Sequence, residues 1–288
     1  MAFQIPQSKK GWQFLILVVV LSVIPYYFIL QEGGSDSPFT LLLMWIPAIA
    51  AIIMRLLHKE GLFKGICWNP LRDWKWLLIG LAVPFLIELL TLSGVLLLDA
   101  GALKSDFFAI SHGEVSVKGV SMIFGAAPQS LPFFVFNYIF SFSVGVLLYG
   151  LFFTLGEEYG WRGYLQKEWA PEANLNGFIW IGVVWGLWHL PAILQGHNYP
   201  EYPVLGGFVF MPLLCTLFSI CFGVAYHQRK VIWVAVVFHA SLNVGTDISN
   251  VALASETVNE PIKDGIWTLL WLITALLIGY FGKKKADR

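Results

Sequence analysis

The stretch LPFFVFNYIFSFSVGVLLYGLFFTLGEEYGWRGYL, residues 131–165, decides what kind of molecule this chain makes. Its first 25 residues, Leu131 to Leu155, carry no charge, and GEEYGWRGYL (Gly156 to Leu165) then places two carboxylates and an arginine directly after them. An apolar run of that length exceeds the about 20 residues that cross a bilayer as a helix. Ionisable groups at such a depth are costly, which makes them functional candidates.

Outward from that stretch the rest of the chain has the same character. Of 288 residues, 57% are hydrophobic and 12% charged, against about 25% charged in soluble domains. A formal net charge of zero gives no global attraction to nucleic acid. Cys67, Cys215 and Cys221 form neither a CxxC pair nor a metal-ligand spacing, and read as packing residues.

Eight stretches are long and apolar enough to span: Trp12–Leu30, Phe39–Leu57, Trp76–Leu98, Leu131–Leu155, Leu175–Leu194, Val204–Tyr226, Val231 to about Ala252, and Ile266–Gly282. The first is too long for a signal peptide, and Tyr26, Tyr27 and Phe28 stand where cleavage needs small residues, so it reads as retained. The expected fold is therefore an all-α, polytopic membrane helix bundle of about eight helices. Residues 1–288 are expected to form one integral membrane domain, with its core helices at 131–250.

With a cytoplasmic N-terminus, alternating crossings put every Lys and Arg except Lys104, Lys118 and Lys263 on the cytoplasmic side. That bias predicts both termini inside. Gln31–Pro38 reads as a turn, Asp99–Ser130 as a long outer loop lying partly on the membrane surface, and Thr246–Gly265 as a polar, partly helical connection. Within the spans, Glu88 reads as a buried structural group or a cavity-lining one, and Asn137 as helix–helix hydrogen-bonding glue.

Three short segments carry the chemistry. Glu158 and Arg162 stand at i,i+4, where such side chains meet on one helix face, which leaves Glu157 pointing elsewhere as the available carboxylate. The same segment also reads as no more than the solvated end of a helix. In WGLWHLPAIL, residues 185–194, His189 is the one titratable group, and Pro191 loosens the helix and frees carbonyls beside it. This fits a cavity wall, and equally a kink without function. In FHASLNVGTD, residues 238–247, His239 and Asn243 stack at i,i+4 and could polarise a carbonyl oxygen, or simply pair between helices.

Taken together, one Glu, two His and one Asn can converge on a single water. In one mechanism Glu157 is the general base, His189 orients the water or shuttles its proton, and His239 with Asn243 stabilises an oxyanion. In the other, His189, His239 and Glu157 hold Zn²⁺, which lowers the pKa of a bound water to about 7, although the sequence has no HExxH.

The three segments, EEYGWRGYL (157–165), WHLP (188–191) and HASLN (239–243), resemble in kind and order the motifs of the CAAX protease and bacteriocin-processing family of intramembrane endopeptidases. The resemblance covers about residues 131–250. It implies peptide-bond hydrolysis in a cavity open toward the cytoplasm, in a bacterial or archaeal cell membrane. It implies Glu157, His189, His239 and Asn243 as catalytic residues, with Glu158 and Arg162 in support. The implied partners are the lipid bilayer and a membrane-associated protein or peptide, prenylated in eukaryotic members and tied to bacteriocin maturation or self-immunity in bacterial ones; nucleic acid is not among them. The family has been described both as zinc-dependent and as metal-free with a glutamate-activated water. The Asn and the ready base role of Glu157 favour the second. A transporter using Glu88, Glu157 and His239, or a non-catalytic immunity or scaffold protein, is the alternative.

Overall fold

A computed structural model describes residues 4–32 and 37–286. Arg288 and the centre of the turn expected at Gln31–Pro38 lie outside them. The chain is a polytopic helical bundle. In order it forms α1 (Lys9–Glu32), α2 (Phe39–Leu57), α3 (Trp74–Leu97), a small β-structure, α4 (Leu131–Tyr149), α5 (Leu155–Gly160) and α6 (Gln166–Trp169). There follow α7 (Leu175–Trp188), α8 (Leu190–Ile193), α9 (Pro203–Leu205), α10 (Met211–His227), α11 (Ile232–Ala252) and α12 (Glu260–Ala286). Wide π-helical turns join α4 to α5 (Gly150–Thr154), α5 to α6 (Trp161–Leu165) and α9 to α10 (Gly206–Phe210).

Among the described residues, seven helical runs are long and apolar enough to cross a membrane. The sequence suggested eight. The difference is Leu175–Leu194, where α7 ends after 14 residues, about 21 Å at 1.5 Å per residue and short of a core about 30 Å thick. Pro191 is the cause: it cannot donate to the turn before it, so the helix stops at His189 and restarts as the four-residue α8.

The chain divides into two compact units. The first comprises residues 1–76, 152–236 and 271–288, and packs α10 on α7, α1 on α2 and α2 on α5. Its core is aromatic: Phe14, Trp161, Tyr164, Trp185, Phe222 and Trp271 are all at most 2% exposed. On α1 the outward Ile16, Val20 and Val23 are exposed yet apolar, as a lipid-facing surface requires. At one end of this unit Glu60 accepts from Lys10 Nζ (2.7 Å) and Lys167 Nζ (2.6 Å). Hydrogen bonds from those two ammonium groups hold the Glu60 carboxyl down to about 2.

The second unit comprises residues 77–151 and 237–270. Three short antiparallel strands stand in the loop expected at Asp99–Ser130: β1 (Phe108–Ser111), β2 (Glu114–Val117) and β3 (Gln129–Ser130). Phe108 pairs with Val117 and Ser111 with Glu114. His112 and Gly113 both adopt positive φ, as a two-residue hairpin turn demands. Strands of four residues carry too little alternation to stand out against a polar loop. Asn137 also departs from its reading as interhelical glue: it accepts from Phe124 N (3.2 Å) and donates to Gly125 O (3.0 Å) and Gln129 Oε1 (3.1 Å), fastening the incoming loop to its own helix. Glu88, 4% exposed, accepts a hydrogen bond from Ser249 on α11.

Candidate active site

The acidic pair rides on α5, a six-residue helix between two wide turns. Gly156 and Gly160 set its place. A methyl group at Gly156 would sit 2.7 Å from Met44 O, and one at Gly160 2.4 Å from Pro47 Cβ, so any larger residue would push α5 off α2. Small residues four apart are the usual means of bringing two helix backbones together in a membrane protein. The wide turns insert an extra residue into the helical count, a feature that concentrates at functional sites.

Glu158 and Arg162 make the pairing their i,i+4 spacing leads one to expect. Arg162 Nη1 donates to Glu158 Oε1 at 3.2 Å, and Nε lies 3.2 Å from Oε2. Both side chains are fully enclosed. The Arg162 guanidinium carbon also lies 4.5 Å from the Trp185 ring centre and 5.2 Å from that of Phe222. Those π faces supply the opposite partial charge that burial denies it from water.

Glu157 is 1% exposed. Its Oε2 accepts from the indole N–H of Trp185 at 2.7 Å and from that of Trp161 at 3.3 Å. Two donors from different helices fix the plane of the carboxylate. Trp185 is delivered by α7, which lies against α10 through a second pair of glycines: a methyl at Gly182 would be 2.2 Å from Thr216 Cα, and one at Gly186 2.4 Å from Pro212 Cα. His189 follows at the break in α7. Its Nδ1 lies 2.9 Å from Trp185 O. A carbonyl only accepts, so Nδ1 carries a proton directed at it. Trp185 thus touches the carboxylate through its side chain and the imidazole through its backbone.

In the second unit, His239 is 4% exposed and Asn243 half-buried on α11. Asn243 Nδ2 donates to Tyr149 Oη at 3.4 Å. The helix is registered on α3 by Ser241 Oγ, which donates to Leu81 O at 2.8 Å, and by the Phe238 ring lying over Gly80. The structure therefore brings Glu157, Glu158, Arg162 and His189 together within the first unit, and His239 and Asn243 stand together in the second.

Sequence reading missed Trp161, Trp185, Tyr149 and Arg55. The i,i+4 step from Glu157 to Trp161 was a usable signal, as were the spacings of Gly156 with Gly160 and Gly182 with Gly186. Arg55, counted only among the cytoplasmic-side cations, is fully buried. It donates to Gly163 O (2.8 Å) in the wide turn, and to Lys64 O (3.0 Å) and Gly61 O (3.1 Å). For the zinc reading, no three His, Cys, Asp or Glu side chains are grouped as a metal site among the described residues. Glu157 Oε2 receives indole donors instead.

Residues 139–245 match the family model described as Type II CAAX prenyl endopeptidase Rce1-like. No curated protein matches the chain. The matched segment, under half of the chain, contains all three motifs. At family level this supports a CAAX-type intramembrane protease, hence a peptidase whose substrate is membrane-associated. Over residues 139–245 this chain is similar to the Rce1-like family, consistent with the CAAX protease and bacteriocin-processing family that its three motifs resemble.

Proposed function

We propose that the chain is an intramembrane endopeptidase that hydrolyses a peptide bond with water activated by Glu157. The observation that carries this reading is a carboxylate 1% exposed, its plane held by two indole donors beside an already paired Glu158–Arg162.

In the proposed reaction Glu157 takes a proton from water as the oxygen attacks the scissile carbonyl carbon. The carbonyl π electrons move to oxygen, and donors from His239 and Asn243, in the role their motif resemblance implies, neutralise that charge. The carbon–nitrogen bond then breaks as Glu157 returns the proton to the leaving amine. His189 Nε2 orients the water. The Lys and Arg bias around the first four spans supports a site that faces the cytoplasm.

Purified protein in detergent, given a prenylated CAAX-type peptide and unmodified membrane peptides, tests this. Wild type should cleave one of them, and Glu157→Gln should lose about 100-fold or more in kcat while staying folded. Activity should persist after strong zinc chelation; loss on chelation with recovery on added Zn²⁺ would overturn the metal-free step. Cleavage of no peptide would favour a transporter or an inactive scaffold.

A further inference from the structure

The family match begins at residue 139 and so assigns nothing to α1. Yet α1 turns one stripe toward the site. Phe14, Val18, Ser22 and Tyr26, each four residues from the last, are 0%, 0%, 3% and 7% exposed. The Phe14 ring meets that of Trp161, a Glu157 donor, edge-on at 5.7 Å. At the other end of the stripe, Tyr26 Oη donates to Trp188 O at 2.5 Å, and Trp188 Nε1 donates to Ser22 Oγ at 2.8 Å. Ser22 Oγ passes the chain on to Val18 O at 2.7 Å.

Trp188 O needs such a partner because the helix breaks one residue later. In an unbroken helix Ala192 N–H would donate to it, but that group donates to His189 O at 3.1 Å. The carbonyl is buried, and leaving it unpaired would cost about 1–3 kcal/mol. Trp188 is also the ring neighbour of His189, with centres 5.0 Å apart at 75°. Whatever holds Trp188 therefore sets the direction in which the imidazole leaves α7.

We infer that Tyr26, assisted by Ser22, is a positioning residue for His189, its hydroxyl capping the carbonyl exposed by the break in α7. The inference rests on the proposed role of His189 for its effect on rate, but the placement of the ring can be read without turnover. The test uses full-length protein labelled with ¹⁵N-histidine. The chain has six histidines, and His189→Gln identifies the resonances of the one in question.

Tyr26→Phe keeps the ring and removes only the donor. It should move the His189 ring resonances while leaving those of His58, His112 and His227 in place. On the cleaved peptide it should lower kcat between about 10- and 100-fold with KM within about twofold, because a misaimed group costs rate rather than affinity. Ser22→Ala, which leaves the Tyr26 hydroxyl intact, should shift the same resonances by less, and it serves if Tyr26→Phe does not fold. Unmoved His189 resonances in whichever variant folds would overturn the inference, as would a fall in kcat matched by a fall in thermal midpoint with the resonances unchanged. A wild type that cleaves nothing would sink the endopeptidase reading and still leave the resonance shift to decide the placement.

Discussion

The first unit holds charge in two ways, and the contrast separates structure from tuning. Glu158 and Arg162 are sealed in the aromatic core, 0% exposed, with ring faces over the guanidinium. Glu60, Lys10 and Lys167 make shorter contacts, yet both lysine side chains remain 39% exposed. Distance alone would rank the second group stronger. Burial reverses the ranking, because a sealed charge that loses its partner cannot recover hydration, whereas an exposed one can.

The sharpest way to break that contrast is Arg162→Ala, which strands Glu158. A loss of about 3–5 kcal/mol is expected, visible as a collapsed yield of folded protein or a large drop in thermal midpoint. A loss as small as that of an exposed pair would show that water reaches the site. Next in size is the double replacement Glu158→Leu with Arg162→Met, which removes both charges. Most of the stability should return, since apolar replacements of a buried pair are often neutral or better by about 1–4 kcal/mol, while cleavage stays lost. Failure to recover would mean that the pair also determines the packing of α5.

The smallest effects belong to the exposed cluster. Lys167→Ala should cost about 0.2–1 kcal/mol, and high salt should erase the difference from wild type without rescuing Arg162→Ala. Acid sharpens the same point. The Glu60 carboxyl falls from 4.5 to about 2 on folding, so its contribution is complete above about pH 4.5 and is lost as pH drops toward about 2. Glu60→Gln should remove that part of the acid dependence; an unchanged unfolding profile between pH 5 and 2 would refute it.

Much of this was legible in the chain because membrane helices announce themselves by length and apolarity. Seven spans, the Glu158–Arg162 pair and the weakness at Pro191 all follow from local spacing. The site residues missed share one cause, long-range partners with no local signature. Nothing near Trp185 says that its indole will serve Glu157, 28 residues earlier in the chain. Nothing near Tyr26 says that it will meet Trp188, 162 residues away. Asn137 went the other way: a polar residue in a span suggests a neighbouring helix, yet its partners lie 8 to 13 residues back in its own loop.

The wide turn at Trp161–Leu165 has a consequence of phase. Gln166 N–H closes it on Trp161 O, five residues back, and by Ala170 N to Gln166 O the step is back to four. One residue too many for an α-helix thus stands between the sealed Arg162 and the exposed Lys167. The turn absorbs that residue, so a second one inserted there would overrun it and rotate everything after it by about 100°, swinging Lys167 off Glu60 while Arg162 kept its seat. What this turn preserves is a count, so it should tolerate changes of letter far better than changes of length.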